Sequence, residues 1–365
     1  MRAAAALLAL GLLAGCSSSA DDGATEAAAT NPTAPSTTTT AVPSGPVPSA
    51  GCGAGTVPPA GVTDERLTSG GDERRYLLTL PEGYDGTTPL PVVLALHSLT
   101  VNYTIVPALS GLDAMAADYD VIGVSPSGFL EPTPYWIAAP SGPNRDLIFL
   151  LDLLDHLEAE LCVDTAQVFS TGLSNGGQMS SLLACEASDR ITAVAPVAGV
   201  EFAQSCQGDP VPVMAFHGDA DPIVPYAGGG LDAATIADQN AWHGDVPAGV
   251  PQHEGVDAAM ANWADHNGCD PEPTEERISP EVIRRTWVGC DAETVLYVVE
   301  GGGHNLPGQV VAGFEDQFGH TTTDIDATAL MYAFFLGPSA PRPESGREQG
   351  LQLGQGGGVV VGDED

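Results

Sequence analysis

The sequence contains no lysine. Its eleven basic residues are all arginine, set against 48 aspartates and glutamates, and the formal net charge is −37 over 365 residues. Nucleic acids and anionic membrane surfaces are held by clustered cations, so this composition excludes both as partners. Acidic substrates are disfavoured at long range for the same reason, and the charge reads as a device for solubility or salt tolerance. No C-x-x-C and no H-x-x-x-H spacing occurs, so no metal site is expected. Long apolar runs are missing too. The first sixteen residues, "MRAAAALLALGLLAGC", hold an apolar run too short to cross a bilayer.

That run carries a different message. Arg2, the apolar stretch to Leu13 and the small residues before Cys16 form a secretory signal. Its ending L-A-G-C resembles a bacterial lipobox, which implies cleavage before Cys16, acylation of that cysteine, and an outward-facing protein that touches the membrane only through this anchor. Ordinary secretion with Cys16 discarded is the alternative. Residues 17–50 are dominated by Ser, Thr, Ala and Pro and are expected to form a disordered tether; 338–365, Gly-rich and acidic, read as a second loose tail. One domain of residues 51–337 remains, with no internal repeat.

Six further cysteines suit an oxidising compartment. Cys185 and Cys206 share a 21-residue spacing with Cys269 and Cys290, which suggests two local bridges and leaves Cys52 to pair with Cys162. Within the domain, "RRYLLTLP" alternates like a half-buried strand. Short apolar runs follow: "PVVLALH", "VIGVSP", "AQVFSTG", "TAVAPVAG", "VPVMAFHG" and "TVLYVVEG". Helical patterns lie between them. The clearest, residues 146–161, places Leu147, Leu150, Leu151, Leu154 and Leu157 on one face; others are "DAMAADYD", "GGQMSSLLACEA", "VDAAMANWADHNG" and "DIDATALMYAFFLG". Alternation of this kind implies an α/β domain, a mainly parallel sheet with helices on both faces, whose functional residues sit on loops at the carboxyl ends of strands.

One such loop holds Ser174, in G-L-S-N-G between Gly172 and Gly176, where a strand gives way to a helix. This is the pattern of a nucleophile elbow, the turn that exposes a serine hydroxyl above a sheet. A serine needs a base and an orienting acid. His304, in "EGGGHNLPG" after the last strand, is the candidate base, and Asp219 or Asp221, after "VPVMAFHG", the candidate acid. The order Ser, Asp, His is that of the α/β-hydrolase triad. His243, His253 and His266 lack such placement and read as surface residues. Trp136, in "PTPYWIAAPSG", is expected either to line a substrate pocket or to be a half-buried core tryptophan.

Taken together, "YLLTLPEGY", "PVVLALHS", "CVDTAQVFSTGLSNGGQMS", "ACEASDRITAVAPVAG", "FHGDADPIVPY", "WADHNGC" and "VEGGGHNLPG" resemble the secreted polyhydroxybutyrate-depolymerase and feruloyl-esterase group of α/β-hydrolases over about residues 57–337. The resemblance implies the α/β-hydrolase fold, with the nucleophile at Ser174, the acid at Asp221 and the base at His304. It also has counterparts for the cysteine pairs. The chain departs from the group where it has His97-Ser98-Leu99-Thr100 in place of His-Gly. An oxyanion hole from the backbone N–H of Asn175 and of Ser98 or Leu99 is expected, with no cofactor, and with a carboxylic ester, polymeric or not, as the only partner of a monomeric enzyme. The ester classes are feruloyl or acetyl groups on polysaccharide, hydroxyalkanoate oligomers, and cell-envelope lipid esters. A serine peptidase on the same fold, or a catalytically dead surface-binding lipoprotein, are the rival readings.

Overall fold

The computed structural model describes residues 45–111, 116, 118–128, 134–139, 143–229 and 253–337. Cys16, the signal sequence, most of the expected tether, the tail and His243 lie outside these residues. Ten described strands form a single sheet. In chain order they are β1 Gly61–Ser69, β2 Asp72–Leu80, β3 Leu90–Leu96, β4 Ile122–Pro126, β5 Val163–Leu173, β6 Ala193–Val197, β7 Val213–Gly218, β8 Thr274–Arg277, β9 Val282–Trp287 and β10 Thr294–Val299. Across the sheet the order is β1-β2-β4-β3-β5-β6-β7-β10-β9-β8. The run from β4 through β3, β5, β6 and β7 to β10 is parallel, and the two outer strands on each flank are antiparallel.

The central strands read as short, nearly continuous apolar runs because both of their faces are covered. Alternate residues of β3 enter different cores: Leu94 and Leu96 pack on one side of the sheet, Val93 and Ala95 on the other. The first side is closed by helices α2 (Arg145–Glu160), α3 (Asn175–Glu186) and α4 (Val256–His266), through Phe149, Leu153, Met179, Leu183 and Trp263. The second is closed by a short helix α1 (Val106–Ser110) and by α6 (Ala327–Leu336), through Val106, Met331, Tyr332 and Phe335; a single turn, α5 (Glu315–Phe318), precedes α6.

Three expectations shift. The buried stripe of α2 is Phe149, Leu150, Leu153, Leu154 and Leu157, with Leu147 and Leu151 only partly buried at its margin. The large aromatic takes the inward position and rotates the helix about its axis. Second, the ordered body begins before residue 51: Val47 N–H donates to Asp164 Oδ1 at 2.8 Å, Val47 O accepts from Thr165 N, and the buried Ser49 hydroxyl donates to Leu161 O at 2.6 Å. Polar composition hid this segment, which docks through hydrogen bonds more than apolar area. Third, β1, β8 and β9 escape a hydrophobicity search because their faces are charged; β1 and β8 are the two edges of the sheet and β9 is the neighbour of β8. Glu275 and Glu276 lie opposite Arg285 and Arg284 in register and pair with them, which stabilises the hairpin and discourages edge-to-edge association.

Three disulfides are present, Cys52–Cys162, Cys185–Cys206 and Cys269–Cys290. The first ties the N-terminal segment to the start of β5 across 110 residues. The next joins the end of α3 to the segment after β6, and the last joins the exit of α4 to the exit of β9.

A buried ion pair locks the other flank. Arg74 on β2 donates to Asp146 Oδ1 at 2.7 Å and to Ser127 O at 2.9 Å, and its guanidinium lies 3.9 Å from the centre of the Phe149 ring. Asp146 Oδ2 accepts from Ile137 N–H, so β2, the end of β4, the 134–139 segment and α2 meet at one ion pair. Removing one partner leaves the other charge buried alone. Asp146→Ala should therefore lower the unfolding free energy by about 3–5 kcal/mol in urea denaturation, and the double change Arg74→Met/Asp146→Leu should cost clearly less.

Candidate active site

Ser174 joins β5 to α3 with φ 59° and ψ −122°, a backbone conformation that non-glycine residues rarely hold. Its surroundings keep it there. Ser174 N–H donates to Val197 O at 2.8 Å, and its carbonyl accepts from Gln178 N–H at 3.0 Å. The turn closes only because its neighbours lack side chains: a Cβ on Gly172 would stand 2.6 Å from the Gly176 carbonyl carbon, one on Gly176 2.2 Å from Leu96 O, and one on Gly199 2.2 Å from Ser174 O. The G-x-S-x-G spacing thus has a cause, the approach of three backbones around one serine. Gly199 belongs to that set although no motif in the sequence flags it.

His304 is placed by the loop after β10, in which three glycines precede it. A Cβ on Gly303 would meet Phe318 O at 1.9 Å, and one on Gly218 would meet Gly302 O at 2.2 Å, so the loop lies directly on the end of β7 and on the 318–320 segment. There His304 Nδ1 donates to Asp221 Oδ2 at 2.8 Å; both residues are 5% exposed. Asp221 Oδ1 accepts from Ile223 and Val224 N–H, each at 2.8 Å. Burial pushes this carboxyl up, but His304 and His217 outweigh it and hold it well below the usual carboxylate range. Asp219 does other work, accepting from Gly301 N–H at 2.6 Å at the turn that follows β10.

His217, four residues before Asp221 at the end of β7, is a member of the cluster that the sequence reading missed. Its Nε2–H donates to Val224 O at 2.9 Å and lies 3.4 Å from Asp221 Oδ2. The signal was the i, i+4 pair in "FHGDAD". His253 and His266 are also not simple surface residues. His253 is half-buried, and His266 packs on the rings of Trp263 and Phe202.

On the other side of Ser174, the loop after β3 is fixed by a buried imidazole. His97 Nδ1–H donates to Ser98 O and its Nε2 accepts from Gly128 N–H, both at 2.8 Å. Burial lowers its pKa to about 4, so the ring is neutral at physiological pH. Thr100 N–H donates to Pro134 O and Val101 N–H to Ser98 O. With those two amides occupied, Ser98 and Leu99 carry the loop's candidates for an oxyanion donor. Asn175 is anchored through its side chain, which accepts from Trp136 N–H at 2.7 Å and donates to Trp136 O and Gln178 Oε1.

Trp136 itself is a correction. It does not face substrate: it is 2% exposed, its indole N–H donates to His97 O at 2.9 Å, and its ring packs 4.9 Å from the His97 ring. It secures the loop from behind, as a buried indole must find an acceptor. Ser98, Leu99, Ser174 and His304 instead border a cavity of about 730 Å³. Among the described residues no hydrogen bond joins Ser174 to His304.

Sheet order, elbow and loop placement define an α/β-hydrolase. No family model matches the chain. It is 30% identical over 252 residues to feruloyl esterase C of Emericella nidulans, an alignment spanning 66% of this chain and 80% of the relative. It is 31% identical over 299 residues to the putative esterase NocK of Nocardia uniformis, spanning 76% and 83%. A solved acetyl xylan esterase from Aspergillus awamori, 16% identical, aligns over 70% of this chain and 97% of its own with a TM-score of 0.49. The chain belongs to the feruloyl-esterase-like family of α/β-hydrolases and is a carboxylic ester hydrolase.

Two outcomes test the geometry. Gly176→Ala should abolish ester hydrolysis or prevent folding, because its Cβ meets backbone that has no room to give; a soluble variant with parental kcat/KM would contradict the elbow as described. The second concerns His97. Its folded-state pKa lies below the unfolded value of 6.5, so its neutral burial is without penalty above pH 6.5 and costs stability as pH falls from there towards 4. Urea denaturation should show about 1.5 kcal/mol lost between pH 6.5 and 5 on this account, and His97→Gln should remove that part of the slope.

Proposed function

We propose that the protein is an exported serine esterase in which Ser174, His304 and Asp221 act as a catalytic triad. The observation that supports this most is the strained Ser174 elbow opening on the same cavity as a histidine whose other ring nitrogen is bonded to a buried carboxylate. With Nδ1–H given to Asp221, the lone pair on His304 Nε2 is available as a base. Ser174 Oγ attacks the ester carbonyl as its proton passes to Nε2, and Asp221 stabilises the imidazolium. The oxyanion is held by the N–H of Asn175 and that of Ser98 or Leu99, each typically worth about 3 kcal/mol. Collapse expels the alcohol, which takes the proton from His304. Water, deprotonated by the same imidazole, then releases the carboxylic acid and restores the serine.

His217 is assigned a positioning role. By sharing Asp221 Oδ2 with His304 it fixes the carboxylate's rotation. Export is supported by the three disulfides and by the N-terminal signal, and anchoring through acylated Cys16, with a tether leading to the domain, completes the arrangement we propose. Esters outside the cell, whether feruloyl or acetyl groups on polysaccharide or hydroxyalkanoate oligomers, are the substrates such a position makes available.

Ser174→Ala should lower kcat/KM for a p-nitrophenyl ester by about 10⁴ or more without altering the circular dichroism. Asp221→Asn should reduce kcat by roughly 10³ to 10⁴, and Asp219→Asn by less than about tenfold. The reverse order of the two aspartate variants would move the acid to Asp219.

A further inference from the structure

The cavity at Ser174 is deeper than catalysis requires. Thr171 of β5, Leu109 of α1 and Phe335 of α6 share its wall. Thr171 is three residues before Ser174, so at the rise of a strand the wall reaches about 10 Å from the nucleophile. Val106, Leu109, Leu306 and Met331 supply its sides.

Its chemistry is one-sided. None of the described lining residues is Asp, Glu, Lys or Arg, and its two imidazoles are those of His304 and of His97, which burial keeps neutral. The hydroxyls towards the inner end are already committed: Thr171 Oγ donates to Ala195 O at 2.6 Å, Thr328 Oγ to Ser110 O at 2.8 Å, and Ser110 Oγ to Val106 O at 2.7 Å. Tyr332 is stacked on Tyr119 and likewise engaged. Apart from the side-chain amides of Gln309 and Gln317, nothing on this wall offers a phenol replacement for the hydrogen bonds it would surrender to water. A charged group would fare worse. An unbranched hydrocarbon chain loses nothing on entry and gains burial along its whole length.

Resting on the triad proposed above, we infer that this cavity is an acyl tunnel, and that the preferred substrates are esters of straight-chain aliphatic acids. An extended chain advances about 1.25 Å per carbon, so an acyl group of about eight carbons spans the wall from Ser174 to Thr171. The acyl carbonyl sits at Ser174, the chain passes Leu109 and Met331 towards Phe335, and the alcohol stays at the mouth.

The test is a chain-length series of p-nitrophenyl esters from acetate to dodecanoate on the full chain, with methyl ferulate and methyl octanoate as a matched pair. Each added methylene should raise kcat/KM about threefold through the middle of the series, giving at least about 100-fold from acetate to octanoate, with methyl octanoate preferred over methyl ferulate. Leu109→Trp should fill the tunnel and lower the decanoate-to-acetate ratio of kcat/KM at least about 20-fold. If that variant does not fold, n-alkylboronic acids on the parent protein give an independent reading, with Ki expected to fall with chain length up to about ten carbons. A Ser174-dependent esterase whose rates are flat or fall with chain length, or which prefers the ferulate, overturns the tunnel and leaves the triad standing. Activity that survives Ser174→Ala overturns the triad and the tunnel with it.

Discussion

Backbone proximity at Ser174 is the constraint on which the rest of the site depends. A serine at φ 59° is not stable on its own account. It is held because Val197, Gln178 and the glycines at 172, 176 and 199 bring β3, β5, β6 and α3 into contact at main-chain distance. The fully buried central strands, filled on both faces, provide the rigidity against which that strain is kept. Loosening any one of them would let the turn relax into an ordinary strand-to-helix connection, and the hydroxyl would turn away from the cavity.

The loops that meet the serine are secured by different means, and the difference follows from their sequences. The His304 loop is glycine-rich and lies flat on neighbouring backbone, so its position comes from close approach. The loop after β3 has Ser, Leu and Thr where glycines would be expected, and is positioned instead by side chains. His97 bridges Ser98 O and Gly128 N–H, while Trp136 braces the His97 carbonyl. Two buried groups therefore stand in for the conformational freedom of glycine. Thr100 still takes φ 67°, so some strain remains in this loop.

Much of this was legible in the sequence. The strands from β2 to β7 and β10 announced themselves as apolar runs, and the Gly-x-Ser-x-Gly turn followed from its place between a strand and a helix. What stayed hidden had physical reasons. β1 and β8 are the edges of the sheet and β9 pairs with β8; all three carry charge pairs, and hydrophobic period carries no signal for them. Trp136 was misread because a large aromatic near a loop looks the same in sequence whether it faces ligand or braces backbone. His217 and Gly199 act through contacts made only in three dimensions. The cavity is the extreme case: its walls come from α1, β5, the loop after β10 and α6, segments more than 200 residues apart in the chain.

The acidity of the chain and the neutrality of its site are compatible because they occupy different dielectric regions. The 48 acidic residues act mostly through water, where salt screens them. Asp221 is buried, and two imidazoles together with the N–H groups of Ile223 and Val224 keep it ionised. His97, buried without a carboxylate partner, goes the other way and stays neutral. The proposed triad would therefore have one negative charge concentrated beside the imidazolium it forms, with mostly apolar lining elsewhere. In an enzyme built on this plan, the distant negative field would repel the carboxylate product as it leaves the mouth, while an uncharged ester approaching the same opening is not opposed.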